Sequence, residues 1–356
     1  MLAARLGFSL PRDVAKGACA LRELVATGYL LGEPPGRTRF SVLDVGAGLG
    51  AMTWGLVHEL SRISREAGAA TFSVEASLAD TDPEAVALAL DIARQVSLPG
   101  VRLEARAIRV DAARSLPPRA VLGDFDLVLV GQVLSELDVD ADCGSRAARH
   151  VTLLADLLAR VRPGGALVVV EPALRDRTRH LHAVRDALAA QGHPPFAPCL
   201  HAGACPILQT PDGWCHEDRA VDLPTWLVPV ARAAGLRWQG LTFSYLVLTP
   251  EGASMASRFG DATGLLRVVS QRLATKGKEE LIACGALPDT PHAVRLRRLD
   301  RARSDPNRAW DELQRGDCFT IDAEGAGARR EIGRATGVRV CAPVDEHARD
   351  RYLEGP

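Results

Sequence analysis

Lysine is nearly missing from this chain: Lys16, Lys276 and Lys278 are the only three, against 43 Lys and Arg together. A net charge is missing as well, because 44 acidic residues bring the formal total to −1. No global basic field therefore directs the protein toward nucleic acid. The arginine bias fits genomic base composition as readily as function, although guanidinium is also the better partner for phosphates and stacked bases. Aromatic residues make up only 4% while 47% are hydrophobic, the balance of an ordinary α/β protein. No apolar run reaches the roughly 18–20 residues that a membrane span needs. The first eight residues, Met1 to Phe8, lack the sustained apolar segment of a signal peptide. No membrane association is expected, and the eight cysteines are expected in a reducing cytoplasm. There, clustered thiols point to metal ligation more than to disulfides. A chain of 356 residues accommodates one large domain with appendages.

What the chain does have is concentrated between Phe40 and Gly50. A β-branched apolar run to Val45 reads as a fully buried strand. It carries Asp44 and then Gly46, Gly48 and Gly50, after which Met52, Leu56, Leu60 and Ile63 recur at helical spacing. Strand, glycine turn and helix in that order let the backbone bend tightly and approach a ligand closely. A G-x-G-x-x-G fingerprint would need glycine where Ala51 stands. The D-x-G-x-G-x-G pattern is instead similar to the one with which class I methyltransferases hold S-adenosylmethionine.

Around this unit, residues 1–38 read as a helical lead-in, with Val14, Ala18, Leu21 and Val25 on one stripe and Pro34-Pro35-Gly36 breaking the chain. A second strand, Thr71 to Leu78, ends at Asp80, and Asp82 then caps a helix that opens with Pro83. Glu75, in the middle of that strand, reads as solvent-facing. A third strand runs from about Leu103 to Val110 and ends at Asp111. A fourth, Phe125 to Val130, leads into Gly131-Gln132-Val133-Leu134-Ser135-Glu136-Leu137. A helix stopped by Pro163-Gly164-Gly165 precedes a fifth strand, Ala166 to Val170, which ends at Glu171. This alternation predicts an α/β, doubly wound parallel sheet, Rossmann-like, with ligands at the carboxyl ends of its strands. The expected S-adenosylmethionine domain is 39–250. Within it, Asp44 would support the glycine loop, Asp80 would accept from ribose hydroxyls and Asp111 would meet the adenine amino group. Each acid would serve equally well as a helix cap, but three in register with a glycine turn favour a nucleoside-type cofactor.

A Cys-rich insertion, 193–220, contains Cys199, Cys205 and Cys215 at C-x5-C-x9-C in a loop rich in Pro and Gly. Cys284, at the end of the strand-like Leu281-Ile282-Ala283, is the best fourth ligand. Zinc sites usually begin with ligands about two to four residues apart. Iron–sulfur clusters tolerate wider spacing and often have proline beside a ligand, as Pro198 and Pro206 are here. The spacing favours a cluster over zinc, and either metal over unligated thiols. His201 and His216 remain possible substitutes for a thiolate.

The glycine loop, Val133-Leu134-Ser135-Glu136-Leu137 and the Pro-Gly-Gly turn into Val-Val-Val-Glu-Pro occur in one order. Pro198-Cys199-Leu200-His201, Ala204-Cys205-Pro206, Trp214-Cys215-His216 and Phe243-Ser244-Tyr245-Leu246 follow. Together these segments resemble the mitochondrial small-ribosomal-subunit assembly methyltransferases and their bacterial relatives, the Rsm-twenty-two family, called methyltransferase-like protein seventeen in animals. The resemblance covers roughly residues 40–320 and includes Arg315-Gly316-Asp317 near its end. It implies a class I methyltransferase fold with an S-adenosylmethionine pocket, a [4Fe–4S] cluster on Cys199, Cys205, Cys215 and Cys284, and association with small-subunit rRNA.

Methyl transfer from a sulfonium needs alignment and at most a base. No N-P-P-Y-like segment for amino methylation follows the fourth strand. Gln132, Ser135 and Glu136 occupy that region and are the candidates for contacting substrate or methyl donor, although Ser135-Glu136 would also simply open a helix. The extension 251–356, expected to be small and β-containing, supplies Cys284 and the basic run Arg295 to Arg303, the most plausible phosphate contact. The chain is expected to act as a monomer. Two other readings are a non-catalytic assembly factor and a small-molecule methyltransferase with a structural zinc.

Overall fold

The computed structural model describes residues 2–32, 36–66, 70–109, 111–112, 118, 122–221, 223–236, 240–259, 264–285, 292–322 and 328–342. Pro34 and Pro35 of the expected chain break, and Val110 at the expected end of the third strand, lie outside them. Eight strands form the first sheet: β1 (Arg39–Val45), β2 (Phe72–Asp80), β3 (Val101–Arg109), β4 (Phe125–Gly131), β5 (Val161–Pro172), β6 (Pro195–Ala197), β7 (Glu217–Arg219) and β8 (Leu241–Leu248). Their order is β3-β2-β1-β4-β5-β8-β6, with β7 attached to β8. Strands β1 to β5 pair in parallel, and β8 runs antiparallel beside β5. Chain direction across the sheet reverses between β1 and β4, which places a crevice at their carboxyl ends. The central strands are apolar on both faces, as strands covered by helices on either side must be. Val42, Leu43, Leu127, Val128, Leu167 and Val168 are all inaccessible to solvent.

Helices α1 (Leu10–Ala26), α2 (Ala51–Glu66), α3 (Pro83–Gln95), α4 (Cys143–Leu158) and α5 (Arg175–Ala190) cover those faces. Asp82 caps α3 as expected, its Oδ1 accepting from the amides of Glu84 and Ala85 at 3.2 and 3.1 Å. Helices α1 and α2 cross closely at Gly55, where an added Cβ would lie 2.7 Å from the backbone nitrogen of Ala18. The amino-terminal stripe thereby seats against the glycine-turn helix. Pro163-Gly164-Gly165 does not stop a helix; α4 ends at Leu158 and the turn lies inside β5, as an irregular start before Ala166 pairs with Leu127. Among the described residues, no helix is long and apolar enough to cross a membrane.

The region after 250 is more than a small extension. Strands β9 (Leu266–Val268), β10 (Leu273–Thr275), β11 (Lys278–Gly285), β12 (Ala293–Leu299), β13 (Cys318–Ile321), β14 (Arg329–Ile332) and β15 (Val338–Ala342) form a second sheet. It has its own core of Leu266, Leu281, Leu296, Trp310 and Phe319. Arg315-Gly316-Asp317 is the turn that enters β13 rather than strand. Four arginines of the basic run on and after β12 are paired within the protein. Arg295 meets Glu280 at 2.8 Å, Arg297 meets Glu331, and Arg303 meets Glu279 at 3.2 Å. Arg298 is buried against Asp311 and Glu279. Four guanidiniums of the run thus have counter-ions from neighbouring elements, while the side chains of Arg295, Arg297 and Arg303 stay exposed.

A buried polar network ties the two sheets and α1 together. Glu23 of α1 accepts from Arg267 of β9 at 2.6 Å and from the Tyr245 hydroxyl of β8 at 2.9 Å. Arg267 also donates to Glu217 of β7 at 3.4 Å. Burial works to raise the Glu23 pKa, but Arg267 and Arg219 outweigh it and hold the carboxyl below its usual range.

Candidate cofactor pocket and cysteine site

The crevice above β1 and β4 is a cavity of about 460 Å³, the size of an ordinary small-molecule site. Its floor is the glycine turn. Gly46 has a φ of +66°, and a Cβ there would sit 2.4 Å from Cγ2 of Val133, so no other residue fits without displacing its neighbour. The Gly46 amide donates to the carbonyl of Ala79 at 2.8 Å. Asp80 shapes the loop directly: its Oδ2 accepts from the Gly48 amide at 2.7 Å and its Oδ1 from the Asp82 amide at 2.9 Å. Asp44 instead binds the first turn of α2, accepting from the amide and the hydroxyl of Thr53 at 3.1 and 2.7 Å. The loop-supporting task expected of Asp44 thus falls to Asp80. Burial, against the Thr53 hydrogen bonds and with help from the nearby Asp80 charge, raises the Asp44 pKa to about 7.

Asp44, Gly46, Gly48, Asp80, Asp111, Gln132 and Glu136 all line this cavity. Gly50 does not; with φ at +81° it closes the turn by donating its backbone N–H to the carbonyl of Ala47 at 2.7 Å. Ser135 also stands apart, its hydroxyl donating to the carbonyl of Gln132 at 3.3 Å. The Gln132 side-chain nitrogen is buried with no hydrogen-bond partner. Arg5, Ser9 and Leu10 of the lead-in form part of the wall, and Arg5 reaches Asp82 at 2.9 Å. Nothing in local sequence pattern marks them, since they arrive by tertiary packing alone.

Glu171 was legible only as a strand end, yet its oxygens accept from the amides of Leu134 and Ser135 at 2.8 and 3.0 Å. Burial, opposed by those bonds, raises its pKa to about 7. The available signal was an acid at the end of β5, the position that Asp44 and Asp80 occupy near the ends of β1 and β2.

The cysteine site lies between the two sheets. Cys199, Cys205, Cys215 and Cys284 line one cavity of about 170 Å³. Cys284 is not remote from the loop thiols: its Sγ is 3.4 Å from Nε2 of His201. Burial, then the mutual repulsion of the thiolates, raises the Cys284 pKa well above the usual range, and Cys205 is pushed up to about 11. Burial, with a smaller contribution from Glu217 and the neighbouring thiolates, brings Cys215 to about 12. Arg185, buried in α5, donates to the carbonyls of His201 and Gly203 and so ties down the loop that carries Cys199 and Cys205. Asp186 accepts from the Cys205 amide at 2.9 Å. Both Arg185 and Arg267 were visible as charges inside apolar stretches, between Leu181 and Leu188 and within Leu265–Val269. His201 stacks on His292 at 3.9 Å, and burial lowers its pKa to about 3. Among the described residues, no group of three or more His, Cys, Asp or Glu side chains is drawn together as a finished metal site. Four thiols that repel one another as anions, faced by two buried guanidiniums, are nevertheless a donor set suited to a thiophilic metal centre.

The sequence profile described as "Mitochondrial small ribosomal subunit Rsm22" matches residues 35–295, more than half of the chain. The chain belongs to the Rsm22 family. That match contains the glycine turn, the post-β4 segment and the four cysteines that line the second cavity of this Rsm22-family protein. Comparison with curated proteins finds no match. Among solved structures, PKMT2 from Rickettsia typhi is 17% identical over 49% of this chain and 29% of that one, with a TM-score of 0.30. An S-adenosylmethionine-dependent methyltransferase from Clostridium acetobutylicum is 15% identical over 48% and 53%, at 0.29. A methyltransferase from Pyrococcus furiosus is 12% identical over 65% and 82%, at 0.35. The chain spans about half the length or less of the first two. The fold assignment rests on the strand order and registers given above.

Proposed function

We propose that this chain is an S-adenosylmethionine-dependent, methyltransferase-like iron–sulfur protein that acts on, or helps to assemble, the small ribosomal subunit. The observation that carries the reading is one cavity lined by the glycine turn, Asp80, Asp111, Gln132 and Glu136 in a member of the Rsm22 family. S-adenosylmethionine would bring a methyl group activated on sulfonium. Asp80 and Asp111 would accept from its ribose and adenine, and Gln132 would donate from the post-β4 turn. Glu136 is the carboxylate of that turn that faces the pocket, and so the group able to take a proton from an acceptor. Cys199, Cys205, Cys215 and Cys284 would hold a [4Fe–4S] cluster, with Arg185 and Arg267 offsetting its negative charge. The reading places the chain in the cytoplasm, where such thiols stay reduced, and takes it to act as a monomer.

Anaerobic purification followed by visible spectroscopy and metal analysis tests the cluster. Absorbance near 400 nm with about four irons per chain supports it, whereas stoichiometric zinc would leave a structural site. Calorimetric titration with S-adenosylhomocysteine tests the pocket. A second reading, a non-catalytic assembly factor, is favoured by Ser135, whose hydroxyl and carbonyl are both engaged within the fold. Methyl incorporation into small-subunit rRNA from a deletion strain separates the two, since a non-catalytic factor transfers none.

A further inference from the structure

The chain leaves β4 and turns through residues 132–138 with Gln132 at φ +63° and Asp138 at φ +50°. Among the described residues these are the only non-glycine positions in the left-handed region. Such a conformation is strained for a residue with a side chain and persists only where the surroundings over-determine it. Here they do, through three side chains outside the pocket. Glu171, 2% exposed, accepts from the amides of Leu134 and Ser135. Arg146 donates to the carbonyls of Leu134, Ser135 and Leu137 at 2.7, 3.2 and 2.9 Å. Arg177 donates to the Ser135 carbonyl at 2.6 Å. The opposite side of the same turn gives the cofactor cavity Gln132, Val133, Glu136 and Leu137.

We propose that Glu171, with Arg146 and Arg177, is a positioning residue for ligand binding: it clamps the post-β4 turn so that Gln132, Val133 and Glu136 hold their places in the wall of the cavity that takes the nucleoside ligand. The inference rests on the S-adenosylmethionine reading of the pocket. A preformed turn binds without an ordering cost, so loosening it lowers affinity while leaving every wall residue in place. Glu171→Gln is nearly isosteric but keeps one acceptor and turns an NH₂ group against the second amide.

The test is titration of the full-length protein with S-adenosylhomocysteine, alongside amide hydrogen exchange of the ligand-free protein. Glu171→Gln is expected to bind about tenfold more weakly, with exchange across 133–137 faster by about the same factor and that of β1 unchanged. Arg177→Met, at a partly exposed side chain, is expected to weaken binding about threefold and serves if Glu171→Gln fails to fold. Affinity and exchange in both variants within about twofold of wild type overturn the inference. Wild-type protein that binds no S-adenosylhomocysteine overturns the cofactor reading itself, and the inference with it.

Discussion

In the pocket above Gly46–Gly50 most walls come from the ends of strands that neighbour one another in the sheet. The cysteine cavity instead gathers a loop, the approach to β7 and the end of β11 from the second sheet. The first site is held by backbone geometry: a left-handed glycine, amides bonded to Asp80, and a turn clamped by Glu171. The second is held by buried charge: Arg185 on the loop carbonyls and the Glu23–Arg267–Glu217 network behind it. A pocket of the first kind exists before its ligand arrives. A site of the second kind brings together thiols that repel as anions, so its ligand completes it.

That contrast can be broken at several points. Cys284→Ser is expected to abolish the absorbance near 400 nm and most of the bound iron while leaving S-adenosylhomocysteine affinity within about twofold, because the two sites share no wall residue. Glu23→Ala leaves Glu217 alone to offset the two buried guanidiniums of Arg267 and Arg219 and should cost up to about 3–5 kcal/mol in urea unfolding, loosening the junction of both sheets. The pocket has its own pH signature. Asp44, raised to about 7, favours its neutral form in the fold, so its contribution to stability is fully present below about pH 4 and is lost as pH rises toward 7. Asp44→Asn should flatten that slope, worth at most about 4 kcal/mol in thermal melts between those limits. Gly46→Ala should destabilise by about 1–3 kcal/mol and remove S-adenosylhomocysteine binding, without touching metal content. Arg297→Ala, at an exposed pair with Glu331, should change stability by less than about 1 kcal/mol.

Much of the pocket was legible because its parts are short-range. A strand, an acid and glycines at fixed offsets specify a turn wherever that sequence occurs, and parallel strands bring their ends to one edge. Ser135 and Gly50 were placed at the pocket by proximity in sequence, but the direction of a side chain on a tight turn depends on backbone angles that spacing does not reveal. The basic run of β12 read as a phosphate contact for a related reason: its counter-ions, Glu279, Glu280 and Glu331, sit on other strands.

Composition and local pattern by themselves determined the α/β sheet, the glycine turn, the acids at the strand ends and the three clustered thiols of the loop. Only tertiary structure decided that Asp80 rather than Asp44 holds the loop, that Arg5 closes the pocket wall, that Glu171 clamps the post-β4 turn, and that a second sheet carries Cys284 to the others. The division follows range. Hydrophobic period and turn chemistry act over a few residues and are written along the chain, whereas the partner of a buried charge is chosen by whichever distant segment the packed core brings within hydrogen-bonding distance.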